Sequence, residues 1–246
     1  MRIGVIGTGV IASAVVRALA PQGHQITLSE RNAERAAELA RDFANVTPAP
    51  NAAVLEQSDL VFLGLQAGAA PKVLAPLRFR PDQRVISLMA GPDLAAVAAL
   101  VAPARAEAVM LPYPAIATGG APILLLGAPD LVTDLFGPHN PVFVLRDGAE
   151  LADWLCAQAV LSPVAQLVEA AGAWLAPRAA DPGAAEEFLR ALVASSLAAG
   201  PAGALLVALN TEGGYNQRLR QHMEGAGMAE ALREGLNRLA GPPPEG

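Results

Sequence analysis

Three small residues near the amino terminus are spaced as in a phosphate-binding turn. Gly7, Gly9 and Ala12 form the pattern G-x-G-x-x-A, directly after the apolar run Arg2 to Ile6 and before an apolar helical pattern. The first glycine permits a tight turn, the second lets the backbone approach a pyrophosphate, and the alanine lets a helix pack closely on a sheet. A helix that begins here also offers free N–H groups to an anion. The pattern predicts dinucleotide binding by Gly7, Thr8, Gly9, Val10, Ile11 and Ala12.

The end of the next apolar run carries residues that could distinguish two dinucleotides. Ser29, Glu30 and Arg31 follow the run Gln25 to Leu28. Glu30 lies about 20 residues beyond Gly7, the offset at which an acidic group binds the ribose 2′-hydroxyl of NAD. The guanidinium of Arg31 would instead suit the 2′-phosphate of NADP. Because the two side chains are adjacent, the sequence leaves NAD and NADP open as cofactors and predicts weak discrimination between them.

The composition excludes several other kinds of chemistry. The 246 residues are 53% hydrophobic and 16% charged with a net charge of −6, which is typical of a folded protein with a core. Lys72 is the only lysine, and the arginines form no basic stripe, so we expect no nucleic-acid partner. The single cysteine, Cys156, excludes an internal disulfide, and the three histidines are too far apart for a zinc site. We therefore expect a cytoplasmic protein without a bound metal.

The elements that must position these residues follow from the hydrophobic pattern. From Arg2 to about Leu145, short β-like runs alternate with Ala-rich helical patterns, such as Ala33 to Phe43. This alternation predicts an α/β, Rossmann-type doubly wound sheet over residues 1–146, with Lys72 on a crossover helix outside the cleft. The predicted strands are Arg2 to Ile6, Gln25 to Leu28, Leu60 to Leu65, Arg84 to Leu88, Glu107 to Met110 and, as edge strands, Ile123 to Leu126 and Pro141 to Leu145.

The hydrophobic pattern changes from Asp147 onward, where helical periodicity replaces the β-like runs. This predicts an all-helical second domain over residues 147–246. The uncharged run Ala191 to Leu209 has roughly the 20 residues of a membrane span, but Gly200 and Pro201 interrupt it. We expect a buried helix pair and no membrane partner. The helical segments are Glu150 to Leu175, Ala184 to Ala199, Ala202 to Leu209 and Met228 to Leu239.

Five segments resemble, in order and spacing, those of one known family. The opening MRIGVIGTGVIASAVVRAL matches its first strand, turn and helix, and RVISLMAGPDL (Arg84 to Leu94) is similar to its VISIAAGVSL. Leu111 to Ala115 corresponds to the family's MPNTPA segment, and Asn210 to Asn216 corresponds to its TSPGGTT segment. Gly227 to Leu239 resembles the helix that closes the family's chains. The chain therefore resembles the pyrroline-5-carboxylate reductases, NAD(P)H-dependent enzymes that reduce a cyclic imine to L-proline.

The chain departs from that family at three motifs near the site. The family's VKP is here Leu65-Gln66-Ala67, its SGSGPAY survives only as Leu161-Ser162-Pro163, and its paired threonines are Tyr215 and Asn216. The resemblance thus implies the fold and the cofactor, and leaves the substrate open. At the positions that correspond to the family's cofactor-binding segments, the resemblance implies further cofactor contacts by Leu65, Gln66, Ala90, Gly91 and Pro112.

The resemblance also implies a substrate site. It places a substrate carboxylate at the helix after Gly213 and Gly214, near Thr211, with Tyr215 and Asn216 as donors. Glu212 adds a negative charge that would disfavour a carboxylate if its side chain points inward. Tyr113 and Ser162 are two more candidates for positioning the substrate. Each could instead have a structural role, Tyr113 as a hydrophobic plug between domains and Ser162 as a helix N-cap.

Three functions fit these residues. The leading one is hydride transfer to a small cyclic imine, with 1-pyrroline-5-carboxylate to L-proline as the first case. The others are a reductase or dehydrogenase of another small imine or carbonyl compound, and a non-catalytic NAD(P)-binding protein. The helical half carries more apolar surface than about 100 residues can bury alone. With the resemblance, this predicts a homodimer through the helical domain, with an active site shared between subunits.

Overall fold

The chain folds into two compact units. A computed structural model describes residues 1–241, and the units are Met1–Leu151 and Ala152–Gly246. The first unit ends inside a helix, whereas the sequence places the boundary after Arg146.

The first unit is built on one eight-stranded sheet with the strand order β3-β2-β1-β4-β5-β6-β7-β8. Every neighbouring pair is parallel except β6 and β7, which are antiparallel. The order reverses at β1, which confirms the predicted Rossmann-type doubly wound sheet. The strands are β1 (Arg2–Ile6), β2 (Gln25–Ser29), β3 (Val46–Ala49), β4 (Leu60–Leu63), β5 (Arg84–Ser87), β6 (Arg105–Pro112), β7 (Ile123–Gly127) and β8 (Val142–Leu145).

Helices cover both faces of this sheet, and two hydrophobic clusters lie beneath them. Alternate residues of one strand enter different clusters: Val61 packs with Ile6 on one face, while Phe62 on the other meets Phe136 edge to face at 6.2 Å. These helices are α1 (Val10–Leu19), α2 (Ala33–Asp42), α3 (Asn51–Glu56), α4 (Ala70–Leu74), α5 (Leu94–Val101) and α6 (Asp130–Phe136). The next helix, α7 (Gly148–Ala157), crosses the boundary between the two units.

The second unit is helical, as predicted, and its helices are largely exposed. Gly172 and Ala185 are the buried residues of α8 to α12 among those described, while Trp174 is 64% exposed and Val207 78% exposed. Both hydrophobic core clusters lie within the first unit. The helices are α8 (Leu161–Leu175), α9 (Ala184–Ala198), α10 (Ala202–Ala208), α11 (Tyr215–Gly225) and α12 (Met228–Ala240).

The helix pair in the uncharged run breaks where the sequence predicts. α9 ends at Ala198, α10 begins at Ala202, and the two are bent by 114°. The expectation that this pair is buried is wrong for the single chain, because Leu192, Leu197 and Leu206 are each about half exposed. A second helical stretch, Gly148–Arg178, is long and apolar enough to cross a membrane, and 6% of its most apolar window is buried.

Candidate functional site

The glycine turn between β1 and α1 has a geometry that requires its first glycine. Gly7 adopts φ = +98°, and an added Cβ would lie 2.3 Å from the carbonyl oxygen of Gly64. Its N–H donates a 2.8 Å hydrogen bond to Oγ of the buried Ser29. Because a positive φ and this contact both exclude a side chain, the turn must have glycine at position 7.

The second glycine faces open space at the start of α1. Gly9 is the N-cap of α1, has an ordinary φ of −73°, and makes no side-chain capping bond. An added Cβ would meet nothing within 4 Å. The first-turn N–H groups of α1 therefore point, uncapped by a side chain, toward a space that an anion could fill.

The third small residue sets how closely α1 approaches the sheet. Ala12 is buried, and an added Cβ on Gly64 would lie 2.6 Å from the Cβ of Ala12. Gly64, just beyond β4, was not singled out in the sequence, because its partner lies in another element. The pair lets the helix N-terminus sit against the carboxyl edge of the sheet.

These features border a cleft of about 500 Å³. The cleft lies at the carboxyl edge of β1, β2 and β4, where ligands bind in doubly wound folds. Predicted residues that line it are Gly7, Thr8, Gly9, Arg31, Leu65 and Gln66. Residues that the sequence did not single out are Asn32, Ala33, Arg35, Gly64 and Ala69.

Other predicted cofactor residues lie beside or beneath the cleft. Val10 is exposed at the start of α1, while Ala12 packs below the turn. Half-buried Ile11 packs against the core. Ser29 is buried and acts on the shape of the turn through Gly7. Glu30 is exposed and is not among the lining residues.

The turn is also tied to the start of α2. The Asn32 N–H donates a 3.3 Å hydrogen bond to Oγ1 of Thr8. Asn32 is the N-cap of α2, and its Oδ1 accepts a 3.2 Å bond from the Arg35 N–H. The glycine turn and the start of α2 are therefore held in one arrangement.

The remaining candidates of the first unit follow the neighbouring strands. Ala90 and Gly91 are exposed after β5, and the buried Pro112 ends β6, so none of them lines the cleft beside Gly9. Tyr113 is half-buried after β6, and burial raises the pKa of its hydroxyl. The Tyr113 hydroxyl is therefore protonated at neutral pH and can donate a hydrogen bond.

The Gly-Gly loop of the second unit precedes a helix, as the resemblance implies. Gly214 is the N-cap of α11 and receives no side-chain cap, and Gly213 adopts φ = +69°. The Gly214 N–H donates to the carbonyl oxygen of Thr211 at 3.0 Å, and the Gly213 N–H to Oε1 of Gln217 at 2.9 Å. Tyr215 is 90% exposed. The neighbouring Asn216 is also exposed.

Ser162 lies in a cleft between α8 and α9. The cleft has a volume of about 880 Å³ and is also lined by Gln166, Glu169 and Glu186. The alternative that Ser162 is a helix N-cap is wrong, because Val160 holds that position and the chain is already helical before it.

Lys72 lies near the cleft beside Gly9 and does not line it. It lies on α4, as predicted, but it lines a cleft of about 440 Å³ together with Arg31, Asn51 and Ala69. Arg31 and Ala69 line the cleft beside Gly9 as well. The two clefts therefore adjoin. Lys72 is not among the residues lining the cleft beside Gly9, which agrees with its predicted place outside that cleft.

The first part of the chain matches known sequences. Residues 2–91 match the family model described as NADP oxidoreductase coenzyme F420-dependent. The pyrroline-5-carboxylate reductase of Pseudomonas aeruginosa is 32% identical over 127 residues, which cover 49% of this chain and 46% of that protein. The chain spans about half the length of the curated relatives it matches.

Solved structures match nearly the whole chain. The 1-pyrroline-5-carboxylate reductase of Streptococcus pyogenes has a TM-score of 0.80 and 21% identity, covering 98% of this chain and 96% of that one. The Plasmodium falciparum pyrroline carboxylate reductase with NADP bound has a TM-score of 0.79 and 11% identity, covering 98% and 95%.

The fold and the glycine turn define a class, a Rossmann-type unit followed by a helical unit. Within that class, the chain has the fold of the pyrroline-5-carboxylate reductases. The fold that the resemblance implies is thereby confirmed.

Proposed function

We propose that the cleft beside Gly9 binds NADP or NAD. The observation that supports this is the open space at the uncapped start of α1, which an added Cβ on Gly9 would enter. Gly7 shapes the turn, Gly9 and the first-turn N–H groups would hold the pyrophosphate, and Arg31 lies toward the adenosine end. Bound in its reduced form, this cofactor would supply a hydride.

We propose that the acceptor is a small cyclic imine, with 1-pyrroline-5-carboxylate, which would give L-proline, as the first candidate. The likeness in fold to pyrroline-5-carboxylate reductases along nearly the whole chain supports this choice. An imine can be protonated near neutral pH, so no strong acid is required of the protein. Tyr113, whose hydroxyl keeps its proton, could orient such a substrate.

We propose that the substrate carboxylate binds at the start of α11. Gly213 and Gly214 allow close backbone approach, and the helix N-terminus has no side-chain cap. Thr211, Tyr215 and Asn216 would supply hydrogen bonds, and Ser162 is a further candidate. Tyr215 is bulkier than the threonine it resembles, so it would reshape the pocket.

Steady-state oxidation of NADPH and of NADH with a panel of imines and carbonyl compounds tests the proposal. Turnover with 1-pyrroline-5-carboxylate is expected, and Gly9→Val is the matched inactive control. Turnover only with another imine or carbonyl compound would favour the second function. Dinucleotide binding without turnover of any compound would favour a non-catalytic protein.

We propose that the chain is a homodimer through its helical unit and acts in the cytoplasm. The exposed apolar side chains of α8 to α10 support a protein interface, because obligate interfaces are large and hydrophobic. In the dimer, a second copy would cover the apolar side chains that are exposed in the single chain. The long apolar stretch Gly148–Arg178 would then be buried in a protein interface and would not need a membrane.

A further inference from the structure

Several cations of the first unit lack a carboxylate partner, and three of them gather at one place. Among the described residues, most arginines form ion pairs, such as Arg17 with Glu38 and Arg84 with Glu107. The charged groups of Arg31, Arg35 and Lys72 have no ion pair within residues 1–241. Arg31 lines both adjoining clefts, Arg35 lines only the cleft beside Gly9, and Lys72 lines only the 440 Å³ cleft.

Arg31 and Lys72 line the same cleft and come from different elements of the fold. Arg31 follows β2 and Lys72 lies on α4, and both line the 440 Å³ cleft. No aspartate or glutamate is among the residues lining either cleft, and the adjacent Glu30 is outside both. In a chain of net charge −6, this is a local excess of positive charge that fits an anion.

We propose that Lys72 and Arg31 together bind the 2′-phosphate of the cofactor, so that the protein selects NADP over NAD. This inference rests on the proposed cofactor site and adds a residue and a specificity to it. NADP differs from NAD only by that phosphate, whose charge would relieve the repulsion between two neighbouring cations. A planar guanidinium and a mobile ammonium that line the same cleft suit the oxygens of one phosphate.

The test compares two nucleotides that lack the nicotinamide. Affinities for 2′,5′-ADP and 5′-AMP are measured by calorimetry for the wild type and for Lys72→Met. We expect Lys72→Met to weaken 2′,5′-ADP about tenfold, as for one lost charge-assisted contact. The affinity for 5′-AMP should stay within about twofold. Lys72→Arg, which keeps the charge, should retain most of the preference.

Arg41→Met is the matched control, since Arg41 is exposed, unpaired among the described residues and outside both clefts. It should leave both affinities unchanged. Equal weakening of the two nucleotides by Lys72→Met, or no weakening of either, overturns the role of Lys72 and leaves the cofactor site intact. If the wild type binds neither nucleotide and neither NADPH nor NADH, the proposed cofactor itself is wrong.

Discussion

At the residue scale, the two glycines of the turn have different reasons to be glycine. Gly7 is required by the backbone, because φ = +98° and the carbonyl oxygen of Gly64 leave no room for a Cβ. Gly9 has an ordinary φ and free space around it. The fold therefore does not require glycine at this position, which agrees with the proposal that a cofactor enters the space beside it.

This difference gives a prediction at Gly9. Gly9→Val should fold with nearly wild-type stability, while its side chain fills the space beside the α1 N-terminus and lowers affinity for NADPH and NADH at least about a hundredfold. Gly7→Val should instead lower the midpoint of thermal unfolding. Calorimetric titration and circular dichroism measure the two properties. Undiminished binding of both dinucleotides by Gly9→Val would remove the basis of the cofactor site.

A buried carboxylate in β6 gives a second prediction. Glu107 is 7% exposed and accepts a 3.0 Å bond from Nε of Arg84, with Nε of Arg105 at 3.5 Å. Glu107→Gln should cost about 1–3 kcal/mol, less than for a fully buried pair, because the two arginines can still reach water. The pair Arg146–Glu150 is the control, because Arg146 is largely exposed, and Glu150→Gln should cost clearly less than Glu107→Gln. Equal unfolding free energies in urea for both variants would contradict this ranking.

At the element scale, the sequence predicts elements whose patterns are local. β1, the glycine turn and α1 follow from neighbouring residues, as does α2, and all four are where the pattern predicts them. The hydrophobic pattern does not predict β3, because Pro48 lies inside it. A proline is tolerated there since β3 is an edge strand. The crossover helix α6 was missed between the last two strands because its run is only seven residues long.

The part of the candidate site that could be predicted from the sequence is likewise the part formed by neighbouring residues. The glycine fingerprint identified the turn, since its residues are contiguous. Arg35 lies on α2 and Lys72 on α4, and only the packing of those helices around one sheet edge brings Arg35 to the cleft beside Gly9 and Lys72 to the adjoining cleft. Gly64 was missed for the same reason, because its role depends on Ala12 across the α1 contact.

The contact between Gly64 and Ala12 gives a prediction about how α1 docks. Gly64→Ala should cost about 1–3 kcal/mol by forcing α1 away from the sheet edge. Ala12→Gly removes the opposing Cβ, and by itself should cost up to about 1 kcal/mol through helix propensity. The double variant should be more stable than the sum of the two single effects predicts, as measured by urea unfolding. Additive effects would show that α1 adjusts without strain.

At the scale of the whole molecule, the exposed helical unit predicts a dimer. Val207 on α10 is 78% exposed, and α9 to α12 bury almost nothing by themselves. Sedimentation equilibrium at micromolar concentration should give about twice the 25.1 kDa of one chain. Val207→Glu should shift the protein toward monomer, and Ala95→Glu, on an exposed part of α5 in the first unit, should not. A single 25.1 kDa species for the wild type would contradict both the dimer and a shared site.

If the dimer forms, its symmetry allows the shared active site to be tested directly. We expect one subunit to supply the cofactor turn with Gly9 and its partner to supply the loop before Tyr215. Gly9→Val and Tyr215→Ala homodimers should each be nearly inactive, since every site in them carries one defect. After subunit exchange in an equal mixture, half of the dimers are mixed, and each of these has one intact site. Activity should therefore recover to about a quarter of the wild-type value.

The control uses homodimers that are chemically crosslinked before they are mixed, so that their subunits cannot exchange. This mixture should recover no activity. No recovery after verified exchange would show that each chain builds its site alone, because every site would then keep its own defect.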